Sequence, residues 1–312
     1  MNNTHWDLFS VGDLSVDTYI SVPYFPGADQ KAIGELIGVY GGGMAANFAA
    51  AASAAGARTL YMTRYGSDPD GSRVIDELTT IGVDCSPSRK VQGARTFQCY
   101  VQLDATGEKA LIGANTNVKV PAVDEVDVEL LQAARYVYIL ADDIPWAHQL
   151  ADTAIKAGAR VVVDLERSAF DHGVGAALAL ASKASIVFSN TRAAGITGGG
   201  DLPSLARLIA DQGPDITVVT DGARGALAIQ DGAEWFQPGL QTQVKDSTGA
   251  GDAHNGTFLG NLLADASVQD ALAAAAQAGS RCIKHMGSRT YLFADRPARE
   301  IPDPQPKEEV PQ

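Results

Sequence analysis

Four short apolar runs recur along the middle of the chain: Tyr136–Leu140, Arg160–Asp164, Ile186–Ser189 and Ile216–Thr220. Stretches of helical character lie between them, near 146–157, 173–182 and 201–212. Runs apolar on both faces suit strands buried in a parallel sheet. Strand-then-helix order repeated in this way implies an α/β fold, a doubly wound, mostly parallel sheet flanked by helices. The same pattern begins upstream. Leu8–Asp13 reads as a strand and Thr59–Tyr65 as another. Asp68-Pro69-Asp70 opens a helix that runs to about Ile81, with proline in the first turn.

Four segments in the first third break the alternation: 18–22, 32–40, 96–103 and 108–113. All are β-like. The last two read as a hairpin around Asp104-Ala105-Thr106-Gly107. Together they predict a small separate β-sheet, a lid formed by about 14–40 and 93–115 over one end of a single domain spanning 1–296. Residues 297–312 are rich in proline and charge and read as a flexible tail.

With 312 residues, 46% hydrophobic and 20% charged, the chain is long enough for a sizeable core. A net charge of −13 argues against nucleic acid as a partner, because such partners need a basic face. Cys85, Cys99 and Cys282 are few, odd in number and far apart, without zinc-ligand spacing; they read as free thiols. No signal peptide is visible, and no apolar run reaches the ~20 residues of a membrane helix. The expected compartment is the cytoplasm.

The most informative string is Asp246-Ser247-Thr248-Gly249-Ala250-Gly251-Asp252-Ala253-His254-Asn255-Gly256. Phe258, Leu259, Leu262 and Leu263 follow at helical spacing, so the glycine turn opens a helix. Free N–H groups and the helix dipole attract phosphate there. Asp252, in the first turn, is placed to take a proton from a hydroxyl attacking that phosphate. Read alone, Gly-x-Gly-Asp is as readily a capping acid after a turn.

A second string is Gly41-Gly42-Gly43-Met44-Ala45-Ala46-Asn47, entering an alanine-rich helix to about Ala55. It is followed by Gly66-Ser67-Asp68-Pro69-Asp70-Gly71 and Gly82-Val83-Asp84. A third is Thr220-Asp221-Gly222-Ala223-Arg224-Gly225. Near the start stands Gly12-Asp13-Leu14-Ser15-Val16-Asp17. Each taken singly is a turn or a strand-end acid. Walker A and Rossmann glycine strings are absent.

Taken together these strings resemble the ribokinase-like (PfkB) carbohydrate kinases from about residue 7 to 290. Asp246–Gly256 is similar to that family's second signature, and Gly41–Asn47 with the strings after it to the first. The resemblance implies a transferase of the kinase type that binds ATP with magnesium and phosphorylates a sugar hydroxyl. Asp252 is then the base, and Gly249, Ala250 and Gly251 form the anion hole. Asp246 and Thr248 contribute to a monovalent-cation site, with K⁺ the candidate. Asp17, Gly42, Gly43 and Asn47 hold the sugar. Asn190, Thr220, Gly222 and Gly225 line the nucleotide. Arg95 is a candidate reader of an anionic substituent.

One departure stands out. The family's Asn-x-x-Glu, tied to magnesium and phosphate placement, is here Asn190-Thr191-Arg192-Ala193. His254 stands where the family often has an aromatic residue and reads as a packed histidine. The acceptor is a pentose, a ketohexose or an acidic sugar. The alternatives are a nucleoside kinase, with Phe97, Tyr100, Tyr24 and Phe25 as base-stacking candidates, and a non-catalytic sugar- or nucleotide-binding protein. The resemblance also implies a homodimer formed through the lid, since its apolar strands offer an edge to a second copy.

Overall fold

The structure is a computed structural model and describes residues 5–104, 108–114, 116, 118–192 and 201–294. The turn residues 105–107, Ala193 and the tail from Pro297 lie outside the described residues.

The main sheet has eight strands. They are β1 (Trp6–Val11), β4 (Thr59–Met62), β9 (Ala134–Leu140), β10 (Arg160–Leu165), β11 (Ile186–Asn190), β12 (Ile216–Thr220), β13 (Gly225–Gln230) and β14 (Ala233–Pro238). Their order is β14-β13-β12-β11-β10-β9-β1-β4. All neighbours are parallel except β12–β13 and β13–β14, which form an antiparallel meander at one edge. From β1 the chain moves outward to β4. From β9 it moves the other way to β10, β11 and β12. The winding therefore reverses between β1 and β9, and an open α/β sheet binds ligands outside the carboxyl ends of its strands at such a point.

Alternate strand residues face two separate cores. Phe9, Val137, Ile139, Val161 and Val163 pack under α3 (Val128–Gln132), α4 (Ile144–Ala157), α6 (Val174–Ala181) and α7 (Leu202–Ala210). Leu8, Tyr136, Tyr138, Val162 and Phe188 pack under α1 (Met44–Ala54), α2 (Pro69–Ile81), α8 (Ala250–Leu263) and α9 (Val268–Cys282). The short α5 (Arg167–Phe170) follows β10.

Helix α1 is buried from Ala45 to Ala52. Its small side chains let α8 approach at backbone distance. A Cβ on Gly256 would lie closer than 3.0 Å to the Phe48 carbonyl, and one on Gly260 closer than 3.0 Å to the Ala55 Cβ. The alanine bias thus serves helix-on-helix proximity as well as helix propensity.

The four off-pattern segments form the small sheet read from the sequence. Its strands are β2 (Ser15–Ser21), β3 (Glu35–Gly42), β7 (Gln98–Leu103) and β8 (Lys109–Ala114), in the order β3-β2-β7-β8. β2–β3 and β7–β8 are antiparallel, whereas β2–β7 is parallel. The run 59–65, read as one strand, divides at Thr63. There β5 (Arg64–Gly66) leaves the main sheet to pair with β6 (Arg89–Val91). Ser88 Oγ takes the Thr63 N–H at 3.2 Å, and the Arg89 N–H reaches the Thr63 carbonyl at 2.9 Å. Among the described residues no helix is long and apolar enough to cross a membrane.

Candidate active site

The carboxyl end of β1 leads directly into the site. Asp13 lies just past that strand, and its Oδ1 accepts the Ala45 N–H at 2.9 Å, supplying the first turn of α1 with an acceptor from outside the helix. The three glycines before α1 each answer a different neighbour. A side chain at Gly41 would strike the Arg289 guanidinium, and one at Gly42 would strike the Asp17 carboxylate. Gly43 has φ 98° and lies against the Asp13 carbonyl. The run is therefore a close-packed junction as well as a turn.

Asp17 enters from β2. It is buried, and Ser15 Oγ donates to its Oδ1 at 2.6 Å. Burial raises its pKa to about 6, against the pull of the Ser15 hydrogen bond and the Arg289 charge.

The turn before α8 has the form that the sequence implies. Gly249 takes φ 78° with Ser288 packed against it. The first helical bond runs from the Ala253 N–H to the Gly249 carbonyl at 2.8 Å, so the N–H groups of Gly251 and Asp252 have no acceptor within the helix. A Cβ added at Gly251 would meet nothing within 4 Å. The turn thus presents free donors beside open space, the arrangement an anion needs.

Asp252 is buried in the first turn of α8, and Asn47 Nδ2 donates to its Oδ2 at 2.8 Å. Its pKa is pushed well above the usual carboxylate range. Burial is the main cause, the charges of Asp164, Glu166 and Asp13 add to it, and the Asn47 hydrogen bond opposes it. A buried acid with its pKa shifted toward neutrality can serve as a general base.

Asp164, at the end of β10, accepts from Asn255 Nδ2 at 3.1 Å and from the Tyr138 hydroxyl at 3.4 Å. Burial raises its pKa to about 7. Among the described residues, His254 meets this cluster only through Asn255. It is buried, its Nδ1 meets Asn255 Oδ1 at 3.0 Å, and burial lowers its pKa to about 4, so it is a neutral packed residue.

Asp246 ties the turn before α8 to the loop after α9. Its two carboxylate oxygens accept the Thr248 N–H at 2.9 Å and the Gly287 N–H at 3.0 Å. Thr248 also receives Lys109 Nζ of β8 on its hydroxyl at 3.0 Å. That bond joins the small sheet to the turn.

The predicted nucleotide residues gather at two neighbouring strand ends. Asn190 closes β11 opposite Thr220 of β12. Gly222 and Gly225 have φ 52° and 122° in the turn after β12, where the Asp221 N–H reaches the Gly225 carbonyl at 2.7 Å. Thr191 Oγ1 donates to Asp221 Oδ1 at 2.7 Å and fastens the two turns together. A cavity of about 420 Å³ borders this region, lined by Leu202, Asp221, Arg224 and Phe236 among others. A smaller one, about 300 Å³, lies at the carboxyl end of β9 among Lys119, Leu140, Asp142 and Trp146, where Lys119 pairs with Asp142.

The structure brings Asp17, Gly42, Gly43, Asn47, Asp246, Thr248 and the 249–252 turn into one connected cluster. Arg95 stands apart: it is exposed on the loop between β6 and β7, and no hydrogen bond or ion pair joins it to that cluster among the described residues. Sequence reasoning missed Asp13, Lys109, Asp164, Ser288 and Arg289. Asp13 and Asp164 carry the weak signal of an acid at a strand end. Lys109, Ser288 and Arg289 carry none.

The pfkB family carbohydrate kinase model matches residues 7–293 of this sequence. The chain belongs to that family. It is therefore a phosphotransferase of the carbohydrate-kinase type, acting on a sugar hydroxyl. Among curated PfkB relatives, it is 29% identical over 296 residues to an ATP-dependent ribose-1-phosphate kinase of Halopiger xanaduensis, covering 92% of this chain and 95% of that protein. It is 25% identical over 291 residues to a ribokinase of Haemophilus influenzae, covering 90% and 94%. Among solved structures, Arabidopsis thaliana ribokinase complexed with ribose and ATP superposes with a TM-score of 0.77 at 23% identity, covering 92% and 95% of the two chains. That likeness supports the same ribokinase-like fold.

Proposed function

We propose that this kinase moves the γ-phosphoryl group of ATP onto a hydroxyl of a small sugar with Asp252 as general base. One observation carries the reading: Asp252 sits in the turn where the Gly251 and Asp252 N–H groups have no acceptor within the helix, with its carboxylate held by Asn47 at 2.8 Å. The acceptor hydroxyl gives its proton to Asp252 as its oxygen attacks the γ-phosphorus, and the bond to the ADP oxygen breaks. The N–H groups of 249–252 and the helix dipole offset charge on the transferring group. Asp17 accepts hydrogen bonds from two acceptor hydroxyls, and Asn47 with the Gly42–Gly43 backbone positions the ring.

Magnesium belongs to the same reading. Among the described residues no cluster of three or more acids, histidines or cysteines forms a cage for a metal. This suits an ion that arrives on the phosphates and keeps its waters. The ion supplies charge neutralisation on the phosphates. Asp164 and Glu166, whose charges act on Asp252, would hold its water shell in place of the acid that Ala193 lacks. A monovalent cation such as K⁺ would sit beside Asp246 and Thr248. Its support is that Asp246 is buried and each of its oxygens accepts a single N–H.

Residues 1–296 act as one kinase domain in this reading, with the small sheet as lid and Lys109 joining lid to turn. The lid also pairs two copies. Val39, Thr18, Tyr100 and Ile112 line up across it on the face opposite Asp17, and Val39, Tyr100 and Ile112 are exposed. Arg95, exposed on the loop before β7 and outside the cluster around Asp252, stays a candidate for an anionic substituent in this reading. The compartment is the cytoplasm, where ATP is abundant and the three free cysteines stay reduced.

The test is ADP release from Mg·ATP across pentoses, ribose 1-phosphate, ketohexoses, acidic sugars and nucleosides. Stimulation by one sugar supports the reading. Stimulation by a nucleoside alone moves the acceptor class. Binding of ATP without turnover on any acceptor overturns it.

A further inference from the structure

We infer that Arg289 is a positioning residue for the transfer: it fixes which end of the Asn47 side-chain amide faces Asp252. The inference rests on the reading of Asp252 as base. Arg289 follows α9 and is 1% exposed. Its Nη1 donates to Asn47 Oδ1 at 2.9 Å and to the Gly42 carbonyl at 3.1 Å, and its Nε donates to Glu77 Oε1 at 2.9 Å. Nη2 is buried and bonds no described group.

A guanidinium has donors only, so the amide atom that faces it must be the oxygen. Ser288 Oγ meets the same oxygen at 2.9 Å. The nitrogen is then left for Asp252, which it reaches at 2.8 Å. If the amide turned over, its N–H groups would face the Arg289 donors and its oxygen would face the Asp252 carboxylate; both contacts repel. The Ser288 hydroxyl could not enforce this alone, because a hydroxyl both donates and accepts.

This orientation has a chemical consequence. Burial and the charges of Asp164, Glu166 and Asp13 favour the neutral form of Asp252, and the Asn47 N–H is the main group that favours the ionised form. Without Arg289 the amide can present its oxygen, to which a protonated Asp252 donates, and the base is lost at that moment. A packing role would not need a charge. Desolvating a guanidinium is costly, and an unbranched apolar side chain would fill the same volume. The glycines at 41 and 42 make room for this one: a Cβ at Gly41 would lie on the guanidinium itself.

The experiment uses the full chain with Mg·ATP and the acceptor that wild type turns over fastest in the panel above. Arg289→Met is expected to lower kcat by roughly 30- to 100-fold, with the acceptor KM changed less than about threefold. The acid limb of its kcat profile is expected to move up by about one pH unit. Arg289→Lys, which keeps a donor-only cation, regains part of kcat, and Ser288→Ala has a smaller effect than Arg289→Met. A folded Arg289→Met with wild-type kcat and an unmoved acid limb overturns the assignment, as does Ser288→Ala matching its loss. Should Arg289→Met fail to fold, nitrogen-15 NMR of wild type decides. Slow rotation of the Arg289 guanidinium and a slowly exchanging Asn47 amide support the assignment; free rotation of either group sinks it. A wild type that transfers no phosphate to any acceptor would end the reading of Asp252 instead, and the NMR result on Arg289 and Asn47 would stand independently.

Discussion

Asn47 and Asp252 are 205 residues apart in sequence, and their side chains meet at 2.8 Å because α1 and α8 touch backbone to backbone. The contact depends on glycine. A Cβ at position 256 would come within 2.8 Å of Ala51 Cβ and closer still to the Phe48 carbonyl. Gly256→Ala is expected to destabilise the protein by about 1–3 kcal/mol and to lower kcat by spreading the two helices. Gly175 in α6 is the control: a Cβ there meets nothing within 4 Å and its φ is ordinary for a helix. Gly175→Ala is expected to stabilise by about 0.5–1 kcal/mol. Thermal melts of both variants check the pair, and equal melting shifts would refute the helix-contact argument.

In the proposed reading Asp17 trades stability for binding. Its pKa rises from 3.8 in the unfolded chain to about 6 when folded. The folded state therefore binds the extra proton between these values. The stability contribution is fully present below about pH 3.8, falls as pH rises to about 6 and is flat above, by roughly 3 kcal/mol in all. Asp17→Asn removes that slope. Melting wild type and variant at about pH 4 and about pH 7.5 should show the variant gaining on wild type at the higher pH. Its acceptor KM should rise at the same time. A variant that keeps the wild-type slope in this window would show that Asp17 is not the group responsible.

Lys109 couples the small sheet to the turn before α8 through Thr248 Oγ1 at 3.0 Å. Lys109→Met is expected to lower kcat about tenfold or more by removing a positive charge near the proposed phosphate-binding donors. The stability loss should stay below about 2 kcal/mol, the scale of one hydrogen bond. Burial lowers the Lys109 pKa from its usual 10.5, so activity should fall on the alkaline side as the ammonium deprotonates. Lys109→Arg should flatten that limb. An alkaline limb that persists in Lys109→Arg would mean another group titrates there.

Much of this was legible in the sequence because local chemistry dictated it. Doubly apolar runs such as Val161–Val163 gave the parallel sheet, and the off-pattern strands gave the small one. The Gly249-Ala250-Gly251-Asp252 turn announced a helix start with open donors. Thr63 was not legible as a break, because Ser88 and Arg89 capture its backbone across 25 residues. Lys109, Ser288 and Arg289 were invisible for the same reason: each acts only through a partner more than one hundred residues away, and no local pattern marks it. Arg95 shows the converse, a candidate read from local position that tertiary structure leaves outside the cluster.

The most direct test of the account is a single-turnover measurement of γ-phosphoryl transfer from ATP to the identified acceptor, comparing wild type with Asp252→Asn, with ATP affinity measured alongside by calorimetry. The account predicts that Asp252→Asn keeps its ATP affinity and its fold while transfer slows by about 10²–10⁴-fold. Transfer within tenfold of wild type would contradict it, and the base would have to be sought elsewhere in the site.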